Sequence, residues 1–382
     1  MLRMNIEFPR YVEYRIFYRF ILDKFISFLS STDDKLVIYL DRTEHITPGV
    51  LCDMLTFFKY QHVKKGAYVF LVFGNATRLR SYLNETGFFL HSEIGSLFQT
   101  DITDYSLSFS NKGRYINQIH RVNIPIHKIK SKVYLPYHIQ NEFIKSVIDL
   151  YNSKSKQMNM ANWGLIDIDN LASGFSEIIE NAYGYAYSSS DSCFYYSFQN
   201  YLKTGLSLVC SDFGTGYYST LLSKFIYTDE LDAGIDESSQ LRKHDIPVPI
   251  RPKLFKKSEF QAFAKDERRK NLAAILECIL IHIDDLQVNG FPYILRTLIL
   301  PANGILRIHC ENTLINIDRQ FIYDFFQINN DSTLVANKQK LRSIVMDFNI
   351  QDILIDRGIL QLYPHVFPGV HISVEIGSVQ DI

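Results

Sequence analysis

The chain has 382 residues, enough for about two or three domains at ~100–200 residues each, and 47% hydrophobic with 21% charged residues excludes a disordered or collagen-like chain. Forty Lys and Arg stand against forty-one Asp and Glu, a formal charge of −1, so a generally basic nucleic-acid binder is not indicated and only a local patch could serve. Cys52, Cys193, Cys210, Cys278 and Cys310 are odd in number, widely spaced and form no C-x-x-C pair, which points to reduced, buried thiols rather than a disulfide framework or a zinc site.

Met1 to Glu7 carries no signal-like apolar run. The longest apolar stretch, Leu272 to Ile283, is interrupted by Glu277 and is too short to span a bilayer. A soluble, cytoplasmic protein with no membrane partner is expected. Residues 12–30 pattern as a helix packed by one face, with charges at Glu13, Arg15, Arg19, Asp23 and Lys24. Leu36 to Leu40 reads as a buried strand ending at Asp41. A helix starts at Thr47-Pro48-Gly49 and runs through Val50, Leu51, Met54, Leu55 and Phe58. Tyr68 to Phe73 is a second buried strand, and Leu79 to Leu83 opens another helix that closes at Gly87. Strands alternating with helices favour parallel pairs covered by helices.

Residues 101–118 turn polar and make the best boundary, dividing the chain into 1–117 and 118–382. Beyond it the pattern gives a strand over Val122 to Ile129, a helix over Tyr137 to Tyr151 and a loop over 152–159. A helix over Asp169 to Tyr185 follows, then strands at Cys193 to Phe198 and Leu206 to Cys210. Residues 228–270 read as an irregular excursion, acidic at first and then basic, with ten Lys/Arg and four Asp/Glu from Arg242 to Lys270. A long helix from Asn271 to Leu286, a turn at Gly290, a further helix and strands at Ile305 to Cys310 and Val370 to Ile376 complete the chain. His309-Cys310-Glu311 fits a buried strand better than a metal site, because alternation sends His309 and Cys310 to opposite faces. Asp284-Asp285 fits an exposed helix end as well as a cation site.

Two segments carry candidate chemistry. Glu177 and Asn181 lie four apart on the Asp169–Tyr185 helix and share a face. That face can be a solvated margin, or its carboxylate and amide oxygen can order a water and a Mg²⁺ ion. Asp212-Phe213-Gly214-Thr215-Gly216 follows a buried strand. Its glycines either satisfy a turn needing positive φ or let the backbone pass close to a flat ring or phosphate, with Asp212 accepting from a ligand amine. A calcium loop is disfavoured, because its third and fifth positions are Gly.

In this order, 31 residues apart from Asn181 to Asp212, the segments resemble the N box (Glu-x-x-x-Asn-Ala) and first glycine box (Asp-x-Gly-x-Gly) of the Bergerat-fold, or GHKL, ATP-binding family. The terminal Phe367 to Val374 is similar to that family's last turn and strand. The resemblance implies an α/β sandwich over 118–382, a mixed sheet with helices on one face, and residues 228–270 as a lid-like insertion. It implies ATP and Mg²⁺ as cofactors, with Asn181 on the metal, Asp212 on the adenine amine, Gly214, Gly216 and Gly290 shaping the pocket, and Glu177 as general base. Pro292 stands where the family's second glycine box has Gly, and it removes an N–H. The basic residues Lys265, Arg268, Arg269 and Lys270 are then candidates for gripping phosphate, or a solvated loop.

Residues 1–117 resemble the STAS fold of anti-anti-sigma factors, on Leu36 to Asp41, His45 to Leu51, Tyr68 to Phe73 and Tyr82 to Phe88. Thr47 falls near that family's phosphorylation position, although Pro48 makes a plain N-cap the better reading. Together the resemblances imply a nucleotide-dependent regulatory switch acting on a protein partner in bacterial regulation, stress response or defence. They also allow a homodimer, an anti-sigma-like Ser/Thr kinase, or a catalytically degenerate scaffold. Contact of Arg242–Lys270 with nucleic acid has weak support.

Overall fold

Runs of β-branched and aromatic residues build two principal sheets, and the helices between them carry most of the core. The structure is a computed structural model describing residues 3–93, 97–102, 118–123, 140–149 apart from 143 and 146, 168–185, 193–201, 205–214, 216–224, 252–283, 290–329 and 333–376. The expectations placed on 103–117, 124–139, 152–159, Thr215, 228–251, Asp284, Asp285 and Asn289 lie outside these residues.

The N-terminal strands are β1 (Arg3–Glu7), β2 (Tyr11–Val12), β3 (Lys35–Tyr39), β4 (His45–Ile46), β5 (Tyr68–Val72) and β6 (Gln99–Thr100). β1, β3, β5 and β6 form a sheet whose order follows the chain, with every neighbouring pair parallel. Parallel neighbours need crossover helices. Leu22–Ser30 connects β1 to β3, and Pro48–Lys65 connects β3 to β5. Pro48 fits the first helical turn, where its missing N–H leaves no bond unmade, and Gly66 at φ 62 ends the helix. Thr47 occupies the N-cap position as expected, yet its Oγ1 is buried and makes no capping bond.

The later strands are β7 (Ile119–Asn123), β8 (Cys193–Tyr201), β9 (Gly205–Asp212), β10 (Ile305–Ile317), β11 (Phe326–Ile328), β12 (Leu334–Ala336) and β13 (Leu360–Ile376). Five of them form a sheet in the order β10-β13-β9-β8-β7, with each pair antiparallel. The mixed sheet expected for 118–382 is therefore corrected: among the described residues this sheet is antiparallel throughout, and the parallel pairs lie in the two N-terminal sheets. β10 and β13 are both longer than expected. The run Glu311-Asn312-Thr313 forms a β-bulge, with the register shifting on either side of Glu311.

Helices of the later part of the chain cover one face of this sheet: Ile168–Tyr185, Gly216–Lys224 and Glu267–Leu280, with the helical run 290–302. The opposite face is covered as well. Pro48–Lys65 packs against β8, β9 and β13, and Leu22–Ser30 packs against β13. Alternation makes this two-sided burial legible. Phe194, Tyr196, Phe198, Leu208 and Cys210 face the helical core, while Cys193, Tyr195 and Val209 face the N-terminal core. Pro48–Lys65 is buried on every side from Gly49 to Lys59, because it lies between two sheets rather than on a surface. Gly49 permits the close approach, since a Cβ there would meet Val209 Cγ2 at 3.2 Å.

Residues 252–270, expected within the excursion, are ordered into the helical layer. Lys257–Ala262 is a helix, and the next helix begins at Glu267 rather than Asn271. Glu277, which breaks the apolar run in the sequence, is buried and accepts N–H bonds from Lys253, Leu254 and Phe255 at 2.7–2.9 Å. Burial pushes its carboxyl upward, and the three N–H groups oppose that. Among the described residues no helix is long and apolar enough to cross a membrane.

Candidate functional site

Helix Ile168–Tyr185 buries Leu171, Phe175, Ile178, Ile179 and Ala182 in the core and leaves Glu177, Glu180 and Asn181 half-buried along its margin. The i, i+4 spacing makes a direct bond: Asn181 Nδ2 donates to Glu177 Oε1 at 3.2 Å. With the amide so oriented, Asn181 Oδ1 faces away from Glu177 and has no hydrogen-bond partner among the described residues. Glu180 accepts from Gln140 Nε2 at 2.8 Å, and burial, then the charge of Glu177, pushes its carboxyl upward.

Asp212 closes β9 at 6% exposure. Its Oδ1 accepts the N–H of Gly214 at 2.7 Å and the N–H of Val370 at 3.3 Å. Oδ2 has no hydrogen bond among the described residues. Burial raises the acid to about 6, opposed by the Gly214 N–H, the charge of His371 and the Val370 N–H. Two glycines make the turn possible. Gly369 has φ +93, and a Cβ there would lie 1.9 Å from the Asp212 carbonyl oxygen. Gly216 has φ +73, and a Cβ there would lie 3.1 Å from Glu311 Oε1. Gly214 is half-buried beside Asp212.

The two segments share one end of the sheet. Asp212 pairs across the ladder with Phe194, and the Phe194 ring lies 6.5 Å from that of Tyr183, two residues beyond Asn181. Tyr183 thus brings the C-terminal part of this helix near that end of β9, where Gly214 and Gly216 follow Asp212, while among the described residues Glu177 and Asn181 have no hydrogen bond to Asp212 or the turn. Gly290 is not brought to them by any recorded contact. It has φ +71, and a Cβ there would meet His282 Cδ2 at 2.7 Å. Its helix meets the candidate helix through Tyr293 on Asn170 and Leu298 on Gly174. Those positions lie roughly 16 and 10 Å along the helix axis from Asn181. Pro292 sits within the helix Gly290–Ile294 and is buried.

The basic run does not form the expected loop. Arg268, Arg269 and Lys270 belong to helix Glu267–Leu280 and are already engaged. Arg268 bonds Gln351 and Asp352; Arg269 bonds Asp266 and the Val345 carbonyl. Lys270 pairs with Glu311 at 3.2 Å, and Lys265 is exposed. A cleft of about 530 Å³ lined by Glu267, Arg268, Asn312, Asp352 and Tyr363 lies away from the glycine turn, and its cation is spent on Asp352. Among the described residues no cluster of three or more His, Cys, Asp or Glu side chains could hold a metal. His309 and Cys310 do face opposite cores.

Several residues at this end escaped sequence reasoning. Glu311 adopts φ +54, rare for a non-glycine residue, and the bulge aims its carboxylate at Gly216 and Lys270. Directly behind Asp212, on the other face, Asp53 of the N-terminal helix accepts from Ser211 Oγ at 2.5 Å and Tyr18 Oη at 2.9 Å, and bonds His371 Nδ1 at 2.8 Å. The local signal for Asp53 was a single carboxylate in an otherwise apolar helical stretch. Comparison of the chain with family models, with curated proteins and with solved structures returned no match.

Proposed function

We propose that the C-terminal end of β9 binds ATP with Mg²⁺, and that nucleotide occupancy is a regulatory signal passed to a protein partner. One observation carries this reading: Asp212 is a buried carboxylate with one oxygen tied to two backbone N–H groups and the other without a recorded partner. Oδ2 is not sealed from solvent, so a ligand donor can take the place of water on it. With an acid value of about 6, Asp212 is ionised at neutral pH and suits the exocyclic amine of adenine.

The Glu177–Asn181 pair offers oxygen atoms of the kind a hard cation takes. Mg²⁺ prefers oxygen ligands and keeps several waters. Asn181 Oδ1, oriented by Glu177, is the direct ligand in this reading, and Glu177 lies near enough to orient a water. When bound, the ion neutralises phosphate charge. The Bergerat-type resemblance supports the assignment of these roles, and the STAS-like resemblance supports a regulatory output. Calorimetry tests it. ATP with Mg²⁺ should bind saturably to the chain, GTP should bind at least tenfold more weakly because its ring presents an oxygen where adenine has the amine, and Asp212→Asn should lose the ATP signal. Equal binding of both nucleotides, or full binding by the variant, contradicts the reading.

Binding without turnover is the second reading. Pro292 offers no N–H at the start of its helix, and Arg268, Arg269 and Lys270 are committed to protein partners. Saturable ATP binding with no phosphate release above background would favour it, and release unaffected by Glu177→Ala would remove Glu177's role as general base.

A further inference from the structure

Ser211 and His371 face each other across the β9/β13 ladder, and each adjoins one anchor of the candidate pocket. Ser211 precedes Asp212. Val370, whose N–H holds Asp212 Oδ1, precedes His371. By alternation their side chains leave the opposite face of the sheet, where the N-terminal helix lies. There Asp53 Oδ1 takes both the Ser211 hydroxyl and His371 Nδ1, Asp53 Oδ2 takes the Tyr18 hydroxyl, and Thr56, about one turn on, donates to the Ser211 carbonyl at 3.3 Å. Asp53, Tyr18, Ser211 and His371 are completely buried.

Donor counting fixes the proton. His371 Nε2 lies 3.2 Å from the Pro368 carbonyl, which only accepts. Nδ1 faces a carboxylate oxygen that already accepts from Ser211. Both ring nitrogens therefore face acceptors, an arrangement that an imidazolium paired with the Asp53 carboxylate satisfies on both sides. Its other neighbours are neutral. Burial pushes His309 on β10, 5.4 Å away ring to ring, well below its usual value, and pushes the phenols of Tyr14, Tyr18 and Tyr363 and the thiols of Cys52, Cys210 and Cys310 upward. Arg307 is paired with Glu375 at 2.6 Å. Asp53 bonds His371 directly, and Asp212 lies within reach of its charge.

We propose that Asp53 is a positioning residue for the nucleotide pocket: by holding a charged His371 directly behind Asp212, the N-terminal helix keeps the pocket carboxylate ionised and its two anchoring strands in register. The N-terminal module then tunes ligand affinity through the sheet instead of by reaching into the pocket. The charge of His371 does lower the acid value of Asp212, in line with this arrangement. The proposal rests on the nucleotide reading only for its consequence, since the electrostatic link itself exists without ligand.

That separation sets the test. The titration of Asp212 is followed in nucleotide-free, carboxyl-¹³C-aspartate-labelled protein, with Asp212→Asn supplying the assignment. It is compared with Asp53→Asn and with the double variant Asp53→Asn/His371→Asn, which removes both buried charges together and so spares the fold. Loss of the neighbouring cation should raise the Asp212 midpoint by about one pH unit or more, and ATP affinity at neutral pH should fall in step. Ser211→Ala, which deletes a hydrogen bond but keeps the ion pair, should leave the midpoint in place. An unchanged midpoint in the double variant overturns the proposal. A raised midpoint in a chain that binds no ATP would uphold the positioning and sink the nucleotide reading.

Discussion

Asp53 and Asp212 are two buried carboxylates on opposite faces of the same pair of strands, and they are treated in opposite ways. Asp53 uses both oxygens, taking two hydroxyls and an imidazolium. Asp212 uses one oxygen, on two backbone N–H groups, and its acid value rises to about 6. The physical cost of burial is the same in kind for both. On the N-terminal face the cost is met by protein groups, and the result is a joint between two sheets. On the helical face it is only half met, and the result is a place for a ligand.

The largest effect that could break this contrast comes from Asp53→Ala. It strands a buried imidazolium and two hydroxyls, so stability should fall by about 3–5 kcal/mol. Urea unfolding measures it, and a loss below about 1 kcal/mol would mean that the joint is not held there.

Asp212→Asn should act in the other direction. Between the ordinary value of 3.8 and about 6, the folded chain holds a proton that the unfolded chain has released, so stability falls as pH rises through that window. An asparagine keeps an oxygen for Gly214 and Val370 and has no charge to desolvate. The variant should therefore gain up to about 3 kcal/mol at neutral pH while losing the pH slope. A less stable variant would contradict the reading of Asp212 as a strained, ligand-ready group.

Thr47→Ala sharpens the comparison at its small end. Thr47 begins the helix that carries Asp53, yet makes no capping bond. Its loss should cost under about 0.5 kcal/mol by thermal melting, against ~1 kcal/mol for an ordinary cap.

Much of the architecture was legible because it is local. Buried-strand runs marked β3 and β5, and periodicity marked Ile168–Tyr185 to within a residue. The Glu177–Asn181 pair and the Asp212 turn were found for the same reason, since each lies within five residues of sequence. The joint behind them was not legible. Tyr18, Asp53, Ser211 and His371 lie far apart in sequence, and only the sheet register brings the last two opposite each other. The strand expected at Ile305 to Cys310 stopped short because the polar run Glu311-Asn312-Thr313 follows, and the chain carries it through as a bulge inside β10. The basic residues of 265–270 suggested a phosphate loop because sequence shows charge but not partners, and Asp352, Asp266 and Glu311 take up three of them.

The most direct measurement is the affinity for ATP with Mg²⁺ at about pH 7.5 and about pH 5, in the native chain and Asp212→Asn side by side. If the half-satisfied carboxylate reads the ligand, native affinity should drop by about tenfold at the lower pH as Asp212 takes up its proton, and the variant should bind weakly at both. Native affinity that ignores pH, or a variant that binds as tightly as the native chain, would contradict the account.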